Sequence, residues 1–117
     1  LELAEGRKRS HWMWFIFPQI AGLGHSEMAR RFAISSRAEA TAYLAHPILG
    51  PRLEDCTSLV TRIEGRTAEE IFGHPDDMKF RSSMTLFAAV ADDGDLFEEA
   101  LRRFFGGIRD RLTLDRL

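Results

Sequence analysis

Residues 11–17, His11-Trp12-Met13-Trp14-Phe15-Ile16-Phe17, hold both tryptophans of the chain in one apolar run that follows directly on Arg7-Lys8-Arg9-Ser10. No alternation of polar and apolar positions interrupts the run, so it must be covered on most sides. Burying one large apolar side chain contributes roughly 1.5–3 kcal/mol, and several aromatic rings left in water would drive association. The fold must therefore be organised around this segment. Pro18 ends it, and a proline biases the residue before it away from helical backbone, so a helical turn or an extended core segment are both open.

A chain of 117 residues is one domain, residues 1–117, with room for a core. Its 29% charged and 44% hydrophobic residues exclude the disordered and fibrous classes. The single cysteine, Cys56, forbids an internal disulfide and fits a reducing compartment, so a cytoplasmic location is expected. No apolar stretch approaches the roughly 18 residues that span a bilayer. The basic residues ahead of the aromatic run imitate a signal peptide, but the run is short and no cleavage pattern follows. A net charge of −2 argues against a general nucleic-acid binder. Leu1-Glu2-Leu3-Ala4-Glu5 closed by Gly6 reads as the end of a helix, so a further helix upstream is expected.

Helical signals dominate the rest. Ala21-Gly22-Leu23-Gly24 is a loop, and Ser26 is placed to cap a helix carrying Met28 and Phe32. Ser36 and Glu39 have capping-box spacing for a helix reaching about Leu44, and His46-Pro47 breaks it. Pro51 is a first-turn proline, followed at helical spacing by Leu53, Cys56, Val60 and Ile63. Thr67 and Glu70 repeat the capping box for a short turn ending at Gly73. Asp76 and Asp77 then open a helix whose inner stripe is Phe80, Met84, Phe87 and Ala91. After Asp92-Asp93-Gly94-Asp95, the residues Phe97, Leu101, Phe104 and Ile108 mark a last long helix interrupted by Gly106-Gly107. No hairpin pattern appears, so the fold predicted is all-α, a compact multihelical single domain around the aromatic segment.

The chemistry-bearing residues have local explanations that must be weighed first. Gly22 and Gly24 are not a dinucleotide fingerprint, because Glu27 stands at the third glycine position and no βαβ pattern follows; amides at Gly24 and Ser26 remain an anion-binding candidate. His11, His25, His46 and His74 lack metal-like spacing with one another or with Cys56, so no metal or cofactor is expected. His46 and His74 precede prolines and belong at helix starts, whereas His11 stands between the basic tripeptide and the aromatic run, at the edge of a pocket. Cys56 falls on an apolar stripe and reads as a buried, inert thiol. Ser82, Ser83 and Thr85 lie inside a helix, where hydroxyls bond back to carbonyls four residues earlier. Asp77, Lys79 and Ser83 also bring a carboxylate, an ammonium and a hydroxyl within two turns, a set able to grip a polar ligand.

Residues 8–19 with Gly22-Leu23-Gly24, then His46-Pro47 with Leu49-Gly50, Ile71-Phe72-Gly73, Asp77, Lys79, Ser82-Ser83-Met84-Thr85-Leu86-Phe87, Gly107, Asp110 and Thr113-Leu114, closely resemble the bacterial domain-of-unknown-function family numbered 1810. The resemblance implies a mainly α-helical fold and carries no established activity. Some members bear the label calpastatin, but no inhibitor-like repeat is present here and the label is not transferred. A more distant similarity of arrangement links the family to the NADAR proteins, small α-helical domains associated with NAD and ADP-ribose chemistry. By that resemblance the aromatic segment would stack on a base or nicotinamide ring, and Asp77 or Asp110 would stabilise an oxocarbenium-like charge.

The expectation is therefore a ligand pocket. Lys8, Trp12, Trp14, Gln19, Lys79 and Ser83 would bind a nucleotide or ADP-ribose derivative, and Asp77, Asp110 and His11 would do any chemistry. A rival from another class is a non-catalytic module, whose aromatics beside Arg7-Lys8-Arg9 dock a protein or single-stranded nucleic acid. The plainest alternative makes the tryptophans core and nothing more.

Overall fold

Capping chemistry sets where the helices begin. The computed structural model describes residues 13–23, 30–31 and 33–117, the side chains of Trp14 and Phe15 excepted. In chain order the helices are α1 (Met13–Ile16), α2 (Arg37–Ala45), α3 (Leu49–Thr61), α4 (Ala68–Phe72), α5 (Asp76–Val90), α6 (Asp95–Phe105) and α7 (Arg111–Asp115). The fold is all-α. The only extended pairing among the described residues is a parallel bridge between Ile20 and Ile34.

Thr67 and Glu70 form the full capping box of α4, with Thr67 Oγ1 accepting from Glu70 N at 3.1 Å and Glu70 accepting from Thr67 N at 2.8 Å. At α2 only half of the expected box forms. Ser36 Oγ accepts from Glu39 N at 3.2 Å, but the Glu39 carboxylate turns one residue further back, to Ser35 N and Ser35 Oγ. His46 Nδ1 accepts from both Ile48 N and Leu49 N at 3.1 Å, so this imidazole caps the start of α3. The Ser26 cap with Met28 and Phe32 falls outside the described residues.

The aromatic run resolves as one helical turn, α1, ended by Pro18. Met13, Phe17 and Ile20 are buried in the same core as Leu53, Ile71, Phe80, Met84, Phe87 and Leu101. Phe17 meets Phe80 edge-on at 4.9 Å between ring centroids, and Phe72 stacks on Phe80 at 4.8 Å, offset and edge arrangements that suit the ring quadrupoles. α5 is the central element, packed by α2, α4, α6 and α7. The radius of gyration, 12.9 Å, is close to the roughly 13 Å of a compact chain of this length.

Gly50 sets the distance between α2 and α3. A Cβ at this position would lie 2.1 Å from the Leu44 carbonyl oxygen, so only glycine lets the two backbones approach this closely. Two expectations are corrected by the fold. The last long helix stops at Phe105, and Ile108, expected on its inner stripe, lies past the Gly106-Gly107 turn at 63% exposure. Cys56 is half-buried, not fully buried, and burial pushes its thiol pKa up from the ordinary value.

Candidate functional site

Helix α5 carries Asp77, Lys79, Ser82, Ser83 and Thr85 of the polar residues picked out from the sequence, and its 3.6-residue turn distributes them over three sides. At about 100° per residue, Asp76, Lys79 and Ser83 share one stripe, and Asp77 points roughly 100° away from Asp76. Ser82 and Thr85 lie on the far side, about 120–180° from Asp76. The expected set of Asp77, Lys79, Ser83 and Asp110 is thus divided, not gathered.

The far side is a closed hydrogen-bond network. Asp110 caps α7, its Oδ2 accepting from Thr113 N at 3.1 Å, from the Thr113 hydroxyl, and from Ser82 Oγ at 3.0 Å. Ser82 Oγ also stands 3.0 Å from Met78 O, so its single proton chooses between a carbonyl and the stronger carboxylate acceptor. Asp110 N donates to Thr85 Oγ1 at 2.9 Å, and that hydroxyl donates to Arg81 O. The Arg81 guanidinium donates to the carbonyls of Ile108 and Arg109 at 3.1 and 2.8 Å. The geometry occupies Asp110 with holding the segment 108–113 onto α5.

The Asp77 side is a carboxylate–imidazole pair. Asp77 Oδ1 lies 2.9 Å from His74 Nδ1, with the aspartate side chain 11% exposed and the histidine 63%. The imidazole is the solvent-facing member, and the carboxylate is the one shielded from water.

The third stripe differs in kind. Lys79 Nζ is 3.3 Å from Asp76 Oδ1, both side chains mostly covered. One turn on, Ser83 is fully buried and its hydroxyl has no hydrogen-bond partner among the described residues. A buried hydroxyl without a partner costs about 1–3 kcal/mol, whereas Ser82 and Thr85 in the same helix are satisfied. The amides of the first turn of α5 already donate, Asp77 N to Gly73 O and Lys79 N to Pro75 O, so recognition at this end falls to side chains.

Of the remaining expected residues, Lys8, His11 and Trp12 lie outside the described residues, as do Gly24 and Ser26. Trp14 belongs to α1, its side chain undescribed. Gln19 is half-buried, and its carbonyl accepts from Ile34 N at 2.8 Å. Sequence reasoning missed Asp76 as the partner of Lys79 and His74 as that of Asp77; both follow from i, i+3 spacing. Among the described residues no three His, Cys, Asp or Glu side chains are grouped to hold a metal, and no helix is long and apolar enough to cross a membrane.

The family model for proteins of unknown function numbered DUF1810 matches residues 1–117. The chain belongs to the DUF1810 family. A solved relative gives the family fold at high similarity: the conserved hypothetical protein Rv1873 from Mycobacterium tuberculosis, whose crystal structure was determined at 1.38 Å, is 56% identical, with a TM-score of 0.98. The match covers 99% of this chain and 83% of that one. The search of curated proteins gave no match for this DUF1810 chain. The expected link to NADAR proteins is not shown by these comparisons, so a ligand for this DUF1810 domain has to be argued from its own residues.

Proposed function

We propose that this DUF1810 domain binds a small nucleotide-like molecule along the Asp76–Lys79–Ser83 stripe of α5. The observation that carries the reading is the Ser83 hydroxyl, buried and without a partner among the described residues, one turn from a largely covered ammonium. Native proteins rarely leave such a group unsatisfied without a reason, and a ligand hydroxyl or phosphate oxygen reaching Ser83 would remove the penalty. Lys79 supplies the charge for a phosphate, and Asp76 accepts from ribose hydroxyls. Phe17 of the aromatic segment packs on Phe80 of the same helix, and Trp12 and Trp14 are the stacking candidates.

Within this reading Asp77, about 100° round the helix from the stripe and paired with His74, is not part of the grip on the ligand. Asp110 serves the fold instead. A thermal-shift screen against NAD, ADP-ribose, other nucleotides and short RNA tests the reading, because a ligand that binds only the folded state raises Tm by linkage. The expected result is a shift with a nucleotide or ADP-ribose that disappears in Ser83→Ala and Lys79→Met. A shift that survives both substitutions would place the ligand elsewhere, and a response to RNA alone would favour the docking module. Asp77→Asn, outside the stripe, is expected to leave binding close to wild type.

A further inference from the structure

Exposure falls along the Asp76–Lys79–Ser83 stripe. At the start of α5 the side chains of Asp76 and Lys79 keep 19% and 27% of their surface exposed, and one turn further Ser83 is fully buried. Beyond it the same side of the helix continues as Leu86 and Phe87, also fully buried. The stripe therefore has a direction: its open end is the ion pair, and its closed end is a hydroxyl without a partner among the described residues. Its polar part spans about 10 Å at the helical rise per residue. Burying a charge costs far more than burying a hydroxyl or an amide, so a ligand laid along the stripe puts its uncharged part on Ser83 and its anionic part at Lys79.

The open end tolerates little negative charge. A helix start usually attracts phosphate through free amides and the positive end of the dipole. Here that device is closed. The N-cap position is Pro75, which has no N–H, and the amides of Asp77, Met78 and Lys79 already donate to the carbonyls of Gly73 and Pro75 at 2.9, 3.0 and 3.2 Å. The helix opens with Asp76 and Asp77, so two carboxylates stand ahead of Lys79. Lys79 is itself balanced by Asp76 at 3.3 Å, and the other cation of α5, Arg81, is turned away to hold the carbonyls of Ile108 and Arg109. A phosphate chain longer than one unit would run from Lys79 toward the two carboxylates.

We infer that the stripe selects a nucleoside monophosphate and discriminates against di- and triphosphates, with Asp77 as a specificity-determining residue that repels a second phosphate without gripping the first. The selection rests on the reading given for the stripe and narrows its ligand class. Lys79 takes the single phosphate, Ser83 bonds to the sugar or base at the closed end, and Asp76 and Asp77 together set the limit on charge.

Calorimetric titration of the folded protein with AMP, GMP, CMP and UMP, with the di- and triphosphate of each and with the four nucleosides, tests the selection at low and at raised sodium chloride, divalent cations being absent. A monophosphate is expected to bind tightest. Its triphosphate should be weaker by roughly fivefold or more at low salt, and its nucleoside weaker for want of the Lys79 contact. The preference over the triphosphate should narrow as salt screens the carboxylates. Asp77→Asn should leave monophosphate affinity close to wild type and raise triphosphate affinity roughly threefold, a change that a merely structural carboxylate would not produce. A triphosphate as tight as its monophosphate, in a protein whose binding is still lost in Ser83→Ala, would overturn the charge limit and leave the stripe standing. An unchanged ratio in Asp77→Asn would overturn the role of that residue. Binding absent across the whole series, or surviving Ser83→Ala, would remove the stripe and the selection together.

Discussion

Ser82 and Ser83 are neighbours in one helix and live in opposite surroundings. Ser82 faces a network in which a cap, two hydroxyls, a carboxylate and a guanidinium satisfy one another. Ser83 is just as inaccessible, and its hydroxyl bonds to nothing among the described residues. Adjacent residues of the same type thus report two different demands on α5: one side is spent on holding the fold, the other keeps an unsatisfied group beside a charge. Buried polar groups fully connected to one another belong to stability, and one left unconnected is where a ligand has something to gain.

Substitutions can break this contrast in a graded way. Asp110→Ala should have the largest effect, a loss of about 2–4 kcal/mol, since the α7 cap disappears and Ser82 and Thr113 lose their acceptor; urea unfolding would measure it, and a loss below about 0.5 kcal/mol would make the network ornamental. Thr85→Val should cost about 1–3 kcal/mol, because Asp110 N is left without an acceptor. Ser82→Ala should cost about 1 kcal/mol. Ser83→Ala should be neutral or stabilising, since it deletes an unsatisfied hydroxyl at almost constant volume; a loss like that of Ser82→Ala would show that Ser83 has a partner in the fold. Smallest of all, Cys56 should react with a disulfide reagent at pH 8 more slowly than a free thiol, because burial raises its pKa and keeps it protonated. Denaturant should remove that protection.

How far the residues announced this arrangement depends on the distance over which each feature acts. Caps are local, so Ser36, Thr67 with Glu70, and the acidic start of α5 could be read directly, and the aromatic run declared itself as core. The same kind of spacing is present in Asp110-x-x-Thr113, but with the last helix expected to run through Gly106-Gly107 to Ile108 no further helix was expected to start there. The glycine pair at 106–107 reads as an interruption when it is in fact an end. Asp77, Lys79 and Ser83 are close along the chain, which suggested one site; rotation about the helix axis separates them. The Arg116 guanidinium against Gly22 had no local signal at all, since nothing in either neighbourhood encodes a contact between distant parts of the chain.

The bonds between α5 and the segment 108–113 join residues only 25 to 28 positions apart. Closing a loop of that size costs little more than closing one half as long, since the entropy grows only as the logarithm of length. A five-residue helix such as α7 has no stability in isolation, so its protection from solvent exchange must be borrowed from α5. Amide protons of α7 and of the middle of α5 should therefore exchange as one cooperative opening unit, with a five-residue helix lasting as long as its partner does.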